Sequence, residues 1–210
     1  MADIDRFNEE AASWDEDQTN VERARVVAAA IRDVAPLHGD MHALEIGGGT
    51  GLLARALADD LGTVVVTDVS PGMVEAAARA LDDPRYDGWE ARLYDIEHDP
   101  LPEDRFDLVM AQLALHHMGD VPAVVRRCAE LLRPGGSVAL VDLDHDPEGA
   151  FHAAVPDFQG HHGFLRDDVR GWLEAAGFTH VTVTGAGVET KEVESVAREF
   201  PMFLASGRLP

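Results

Sequence analysis

The chain reads as an α/β protein with a mostly parallel sheet covered by helices on both faces. Three observations predict this. Short apolar or alternating runs suited to strands recur at 42–46, 63–68, 89–96, 106–112, 137–142, 180–185 and 201–207. Helix-periodic segments stand between most of them, which is the pattern of successive βα units. A glycine-rich stretch, EIGGGTG at 45–51, follows directly on the first apolar run. Glycine serves where the backbone must take positive φ or where a neighbour leaves no room for a Cβ.

Taken in order, VERARVVAAAIRDV (21–34) is helical and HALEI (42–46) is a short strand ending at the glycines. Leu53, Leu57 and Leu61 recur every fourth residue, a helical face over 52–61. TVVVTD (63–68) is β-branched, as a buried strand should be. Ser70 and Pro71 open the next helix as N-cap and first helical residue. WEARLYDI (89–96) alternates, and FDLVMAQ (106–112) is continuously apolar. Val121, Val124, Val125, Cys128, Leu131 and Leu132 form an amphipathic stripe with Asp120 as its cap. Arg133-Pro134-Gly135-Gly136 stops that helix, and SVALVD (137–142) is the fifth strand. VRGWLEAAGF (169–178) is a helix closed by glycine, and HVTVTG (180–185) and PMFLASG (201–207) are the last two strands.

At 210 residues with 46% apolar residues, the chain suits one domain (1–210) with a single good core. No apolar run is long enough to span a bilayer, and the N-terminus is acidic where a secretory signal is basic, so a cytoplasmic location is expected. The lone Cys128 allows no internal disulfide, which fits a reducing compartment. A net charge of −22 without a basic stripe argues against nucleic acids and anionic membranes as partners. It favours a small, neutral or cationic substrate, handled by a monomer or homodimer.

Ligands of such sheets bind at the carboxyl ends of the strands, where strand order reverses. The glycine turn ends the first strand, so it should face a nucleotide-like ligand. A dinucleotide fingerprint needs G-x-G-x-x-G, but counting from Gly47 the third glycine falls on Leu52. The actual spacing is G-x-G-x-G at Gly47, Gly49 and Gly51, with Glu45 two residues upstream.

ALEIGGGTGLLA resembles motif I of the class I S-adenosylmethionine-dependent methyltransferases, and the likeness continues in register. VVVTDVSPGMV, LYDIEHDPLP, FDLVMAQLALHHM and CAELLRPGGSVALVD are similar to the later motifs, over roughly residues 40–142. The nearest type is the small-molecule methyltransferases of quinone and secondary metabolism. The resemblance implies a Rossmann-like sheet of seven strands with the last one antiparallel, and S-adenosylmethionine as cofactor. It implies that Asp68 takes both ribose hydroxyls and that Asp95 stands beside the adenine amine. Val69, Met73 and Ile96 would wall the adenine, and Ala111 on the fourth strand joins the cofactor-binding set. Residue chemistry agrees for Asp68, which lies 21 positions after Gly47, near the roughly 20 expected of a ribose-binding acid.

For the methyl acceptor, a small molecule, the residues offer His116 and His117 after the fourth strand as candidate general bases, since imidazole titrates near neutrality. His145, His152, His161 and His162 fall in a histidine-rich segment (143–165), expected on the substrate side. They lack the tight spacing of zinc ligands, so no metal is assigned. Phe7, Ala11 and Trp14 share one helical face near the N-terminus. Residues 1–20 are therefore expected to form a lid helix with Trp14 and Asp15 facing the site. An NAD-dependent oxidoreductase and a non-catalytic cofactor-binding module are the alternatives, the first opposed by Leu52.

Overall fold

The computed structural model describes residues 2–155 and 157–210. Seven strands form one sheet: β1 (His42–Ile46), β2 (Thr63–Asp68), β3 (Glu90–Leu93), β4 (Phe106–Gln112), β5 (Leu132–Leu143), β6 (Thr179–Val193) and β7 (Val196–Arg208). Their order is β3-β2-β1-β4-β5-β7-β6, with β7 antiparallel to both neighbours and the other pairings parallel. Strand order therefore reverses between β1 and β4, and the glycine turn stands at that point.

Among the described residues six α-helices cover the sheet: α1 (Ala2–Glu10), α2 (Gln18–Val34), α3 (Leu52–Ala56), α4 (Pro71–Leu81), α5 (Val121–Leu131) and α6 (Arg166–Ala175). One core holds Val27, Ile31, Leu53, Leu57 and Ala77 from α2, the α3 segment and α4 against Val64, Val66 and Leu108. The other holds Val121, Val125, Leu131 and Leu173 from α5 and α6 against Leu44, Val109 and Phe203. Single strands thus feed both cores on alternate residues, as a sheet covered on two faces requires.

The expected caps form. Ser70 Oγ accepts the Met73 N–H with Pro71 in the first turn, and Asp120 accepts the Ala123 N–H at 3.0 Å. Three expectations need correction. The helix after the glycine turn stops at Ala56 instead of reaching residue 61, and its last apolar positions pack from irregular backbone. The N-terminal run breaks after Glu10, and Trp14 lies in a separate 3-10 turn, Trp14–Glu16. Phe7 and Trp14 still meet edge to face, with ring centroids 6.0 Å apart. The largest departure is at the C-terminal end, where β6 and β7 run on as a long hairpin through residues read as strand only up to 185 and from 201. Its two-residue tip, Glu194-Ser195, has φ of 52° and 66° at both positions, the geometry usually signalled by Asn-Gly. The charged run VETKEVESVAREF and the glycine-free tip hide this hairpin from sequence patterns.

Candidate active site

The carboxyl ends of β1, β2 and β4 open into a cavity of about 620 Å³. At its floor, Gly47 and Gly49 have φ of +59° and +56°. A Cβ on Gly47 would lie 2.5 Å from the Ala114 Cβ, so both backbone angle and space demand glycine there. Asp68, at the end of β2, accepts the Gly49 N–H at 2.9 Å through Oδ2 and the Ser70 N–H at 2.8 Å through Oδ1. A carboxylate has about four lone-pair sites, so two remain for a ligand's hydroxyls. Burial pushes the Asp68 carboxyl above its ordinary value, and the Ser70 and Gly49 amides oppose the shift.

Val69, Met73, Asp95 and Ile96, the residues expected around an adenine, line the same cavity. Asp95 is tied into its loop by the Glu97 N–H and by His98 Nδ1, each at 2.8 Å. Asp95, Glu97 and His98 are the one group, among the described residues, whose potential metal-ligand atoms lie within 4.8 Å of one another. Glu97 is already engaged there by the Gly119 and Asp120 N–H groups at the start of α5. Glu45 lines the cavity floor but is 2% exposed and turns to the Ala54 N–H at 3.2 Å. Burial pushes its carboxyl up to about 8. Gly51, at φ +79°, packs on Val66 as part of the turn, and Ala111 is fully buried; neither is among the cavity's lining residues.

At the other end of the cavity the 3-10 turn Leu115–His117 presents the histidine pair. His116 is 2% exposed, and its Nδ1 lies 2.7 Å from Oδ1 of the fully buried Asp142 at the end of β5. Asp142 also accepts the N–H groups of His116 and Leu143. The His117 ring stands 4.2 Å from that of His116 and meets Phe7 edge to face at 5.3 Å. His152 lies 5.0 Å from the His116 ring and stacks on Phe158 at 3.7 Å. Neither ring nitrogen of His152 has a hydrogen-bond partner, and burial, with the neighbouring histidines and Lys191, pulls its pKa down to about 3.

The histidine-rich segment does not act as one group. His145 and His161 line a separate cavity of about 320 Å³ between the start of α5 and α6, and His162 packs on His152 and Phe158 outside the lining of the main cavity. The cause is local. His161 gives its backbone N–H to the His116 carbonyl at 2.7 Å while its ring turns to Phe164. At His161 it is therefore the main chain that meets the site, while His152 is the histidine of this segment that lines the main cavity. Trp14 lines the main cavity as expected, but Asp15 does not: it is bound to Thr50 Oγ1 and ion-paired with Arg55. Asp15 thus fastens the N-terminal segment to the glycine turn. α1 docks beside it, where Asn8 Oδ1 accepts the Gly72 N–H at 2.8 Å.

Residues that sequence reasoning did not single out are also in the lining, among them Arg6, Glu10, Arg23, Gln112, Leu113 and Lys191. Leu113 holds φ +51°, a strained angle for a branched residue beside a ligand site. Asp142 could have been found as an acid ending a strand; Arg6, Arg23 and Lys191 carry no local signal.

A mostly parallel sheet with this strand order and β7 antiparallel, a G-x-G-x-G turn at its reversal point and a carboxylate ending β2 make up the arrangement implied by the resemblance to S-adenosylmethionine-dependent methyltransferases. Residues 44–140 match the family model described as a methyltransferase domain. It is similar to the fusarin C synthetase of Gibberella fujikuroi, 33% identical over 138 residues, which is 60% of this chain and 3% of that protein. The chain thus spans a small fraction of that curated relative. Its fold is similar to an S-adenosylmethionine dependent methyltransferase from Mesorhizobium loti (TM-score 0.66, 21% identity, 86% of this chain and 96% of that one). It is also similar to Haemonchus contortus phosphoethanolamine N-methyltransferase 2 (TM-score 0.70, 16% identity, 97% of this chain and 60% of that one).

Proposed function

We propose that this protein transfers a methyl group from S-adenosylmethionine to a small-molecule acceptor, with His116 as general base. The observation that carries this reading is one continuous cavity with a side-chain-free turn and a ribose-suited carboxylate at one end. At the other end stands a buried His–Asp pair. The cofactor supplies a methyl group already activated on a sulfonium. Asp68 would hold the ribose hydroxyls with its two remaining acceptor sites, and Val69, Met73 and Ile96 would enclose the adenine. The glycine turn admits the amino-acid tail.

Asp142 accepting from Nδ1–H leaves His116 Nε2 as the nitrogen able to take a proton from an acceptor hydroxyl or acidic carbon. The buried carboxylate also stabilises the imidazolium that results. Phe7 and Trp14 from the N-terminal segment roof the cavity and help to exclude water. Aligning acceptor and donor then removes much of the barrier, because proximity alone is worth several kcal/mol, about 7–11 for ideal alignment.

The test is transfer of label from methyl-labelled S-adenosylmethionine to members of a metabolite library, alongside calorimetric titration with S-adenosylhomocysteine and NADH. Binding of the first and not of NADH, with labelled product, is the expected result. NADH binding with no transfer would replace this reading with the oxidoreductase.

A further inference from the structure

Acidic residues outnumber basic ones by 39 to 17, yet three cations line the main cavity: Arg6 on α1, Arg23 on α2 and Lys191 on β6. Lys191 is the only lysine in the chain. Arg23 is satisfied by an ion pair with the buried Glu189 and a hydrogen bond to Asn20. Arg6 and Lys191 are not: among the described residues neither forms an ion pair, and both line the cavity. Arg6 lies over the Phe7 ring, 4.6 Å from its centroid, with its Nε buried and without an acceptor. Lys191 stands 3.7 Å above the Phe151 ring and gives one hydrogen bond, at 3.3 Å, to the Phe151 carbonyl. Glu10 and Glu189 are the acids near Lys191, the second already taken by Arg23.

The rings beneath these cations locate them. Phe7 touches His117, and Phe151 meets His116 edge to face at 6.3 Å. Arg6 and Lys191 therefore stand at the histidine end of the cavity, away from the glycine turn. Holding partly buried cations with Glu10 as the one nearby carboxylate outside an ion pair is costly. Lys191 shows this cost: burial, then the charge of Arg6, pulls its ammonium below its ordinary range. An entering anion would relieve both groups, Arg6 as a planar fork and Lys191 as a point charge.

We propose that Arg6 and Lys191 form an anion subsite, and that the methyl acceptor carries a carboxylate or phosphate group seated between them. This rests on the methyltransferase reading, and it reverses the neutral or cationic substrate that net charge alone favours. His152, 5% exposed with both ring nitrogens unpartnered, offers the acceptor a donor and an acceptor beside the subsite.

The test uses the full chain saturated with S-adenosylhomocysteine, which fills the cofactor's own carboxylate site, titrated with benzoate, phenyl phosphate and the uncharged benzamide. One or both anions should bind at least tenfold more tightly than benzamide, and which of them does so tells carboxylate from phosphate. Arg6→Gln and Lys191→Met should each weaken anion binding about tenfold while S-adenosylhomocysteine affinity stays within twofold. Lys191→Arg, which keeps the charge, should retain anion binding. Equal binding of benzamide and benzoate overturns the subsite, as does a loss in Lys191→Arg equal to that in Lys191→Met. Lowered S-adenosylhomocysteine affinity in Arg6→Gln or Lys191→Met also overturns it, by assigning the cations to the cofactor. A wild-type protein that ignores S-adenosylhomocysteine altogether refutes the methyltransferase reading itself, a result distinct from cofactor bound and anions ignored.

Discussion

The two ends of the cavity are built on different plans. The cofactor end is made of strand termini and backbone: Gly47 and Gly49 follow β1, Asp68 ends β2, and the amides of Gly49 and Ser70 hold the carboxylate in place. The histidine end, where the acceptor is proposed to sit, is made of side chains gathered from far apart: Arg6 and Phe7 from α1, His116 after β4, Asp142 from β5, His152 from a 3-10 turn and Lys191 from the hairpin. The first plan constrains one ligand through a few adjacent residues. The second can be changed one segment at a time, so it is where specificity for the acceptor can vary on a constant core.

The sharpest way to break this division is at His116. His116→Gln should lower turnover by about 10²- to 10⁴-fold, the usual worth of a general base, with the S-adenosylhomocysteine dissociation constant unchanged by calorimetry. Weakened cofactor binding with normal turnover would erase the distinction between the ends. The converse variant, Asp68→Ala, should weaken cofactor binding by about 1.5–3 kcal/mol, the worth of hydrogen bonds to a charged group. Turnover at saturating cofactor should change little.

Each end also holds a titratable group that burial shifts far from its ordinary value, and the two should respond to pH in opposite directions. Glu45, under the glycine turn, has its carboxyl raised from 4.5 to about 8 by burial. The folded state then holds a proton that the unfolded chain releases, so this group's contribution to stability is full below 4.5 and is lost as pH rises toward about 8. Glu45→Gln keeps an oxygen for the Ala54 N–H and should raise Tm relative to wild type at pH 8–9 but not at pH 4–5. His152 is held down from 6.5 to about 3. Its contribution is present above 6.5 and is lost as pH falls below it, because only the unfolded chain takes the proton. His152→Phe should therefore flatten the acid limb of the Tm profile; identical limbs in wild type and variant would refute the neutral, buried imidazole. The smallest effect is expected from Asp15→Ala. Its pair with Arg55 is partly exposed, so the loss should be no more than about 1 kcal/mol, read as a Tm drop of about 2–4 °C or less.

How much of this was readable in advance follows the same line. The strand at HALEI, the glycine turn, Asp68 and the Ser70-Pro71 cap lie within 30 consecutive positions of the chain, 42–71. Propensity and spacing act over such distances. His116 and His117 were also visible, but their roles were not: Asp142, 26 residues on, orients His116. Asp15 was expected to face the site and is instead fastened to Arg55 and Thr50. His145 and His161 were expected among the substrate residues and line another cavity. The hairpin that delivers Lys191 lacked both alternation and a glycine tip.

The buried thiol of Cys128 marks the simplest case of all: a stripe position on α5, fully enclosed, its pKa raised to about 12 by burial and so kept as an inert packing group. Periodicity alone foretold that burial. Sequence by itself determined the layered fold, the order of βα units, the glycine turn and the cofactor-side acid, because each depends on preferences of residues close together in the chain. Tertiary structure alone decided which histidine meets a carboxylate, which acids turn outward to pair with arginines, and which cations reach the cavity outside an ion pair. Those outcomes depend on the packing of α1, the 3-10 turns and the β6–β7 hairpin against one another, and no local preference encodes such meetings.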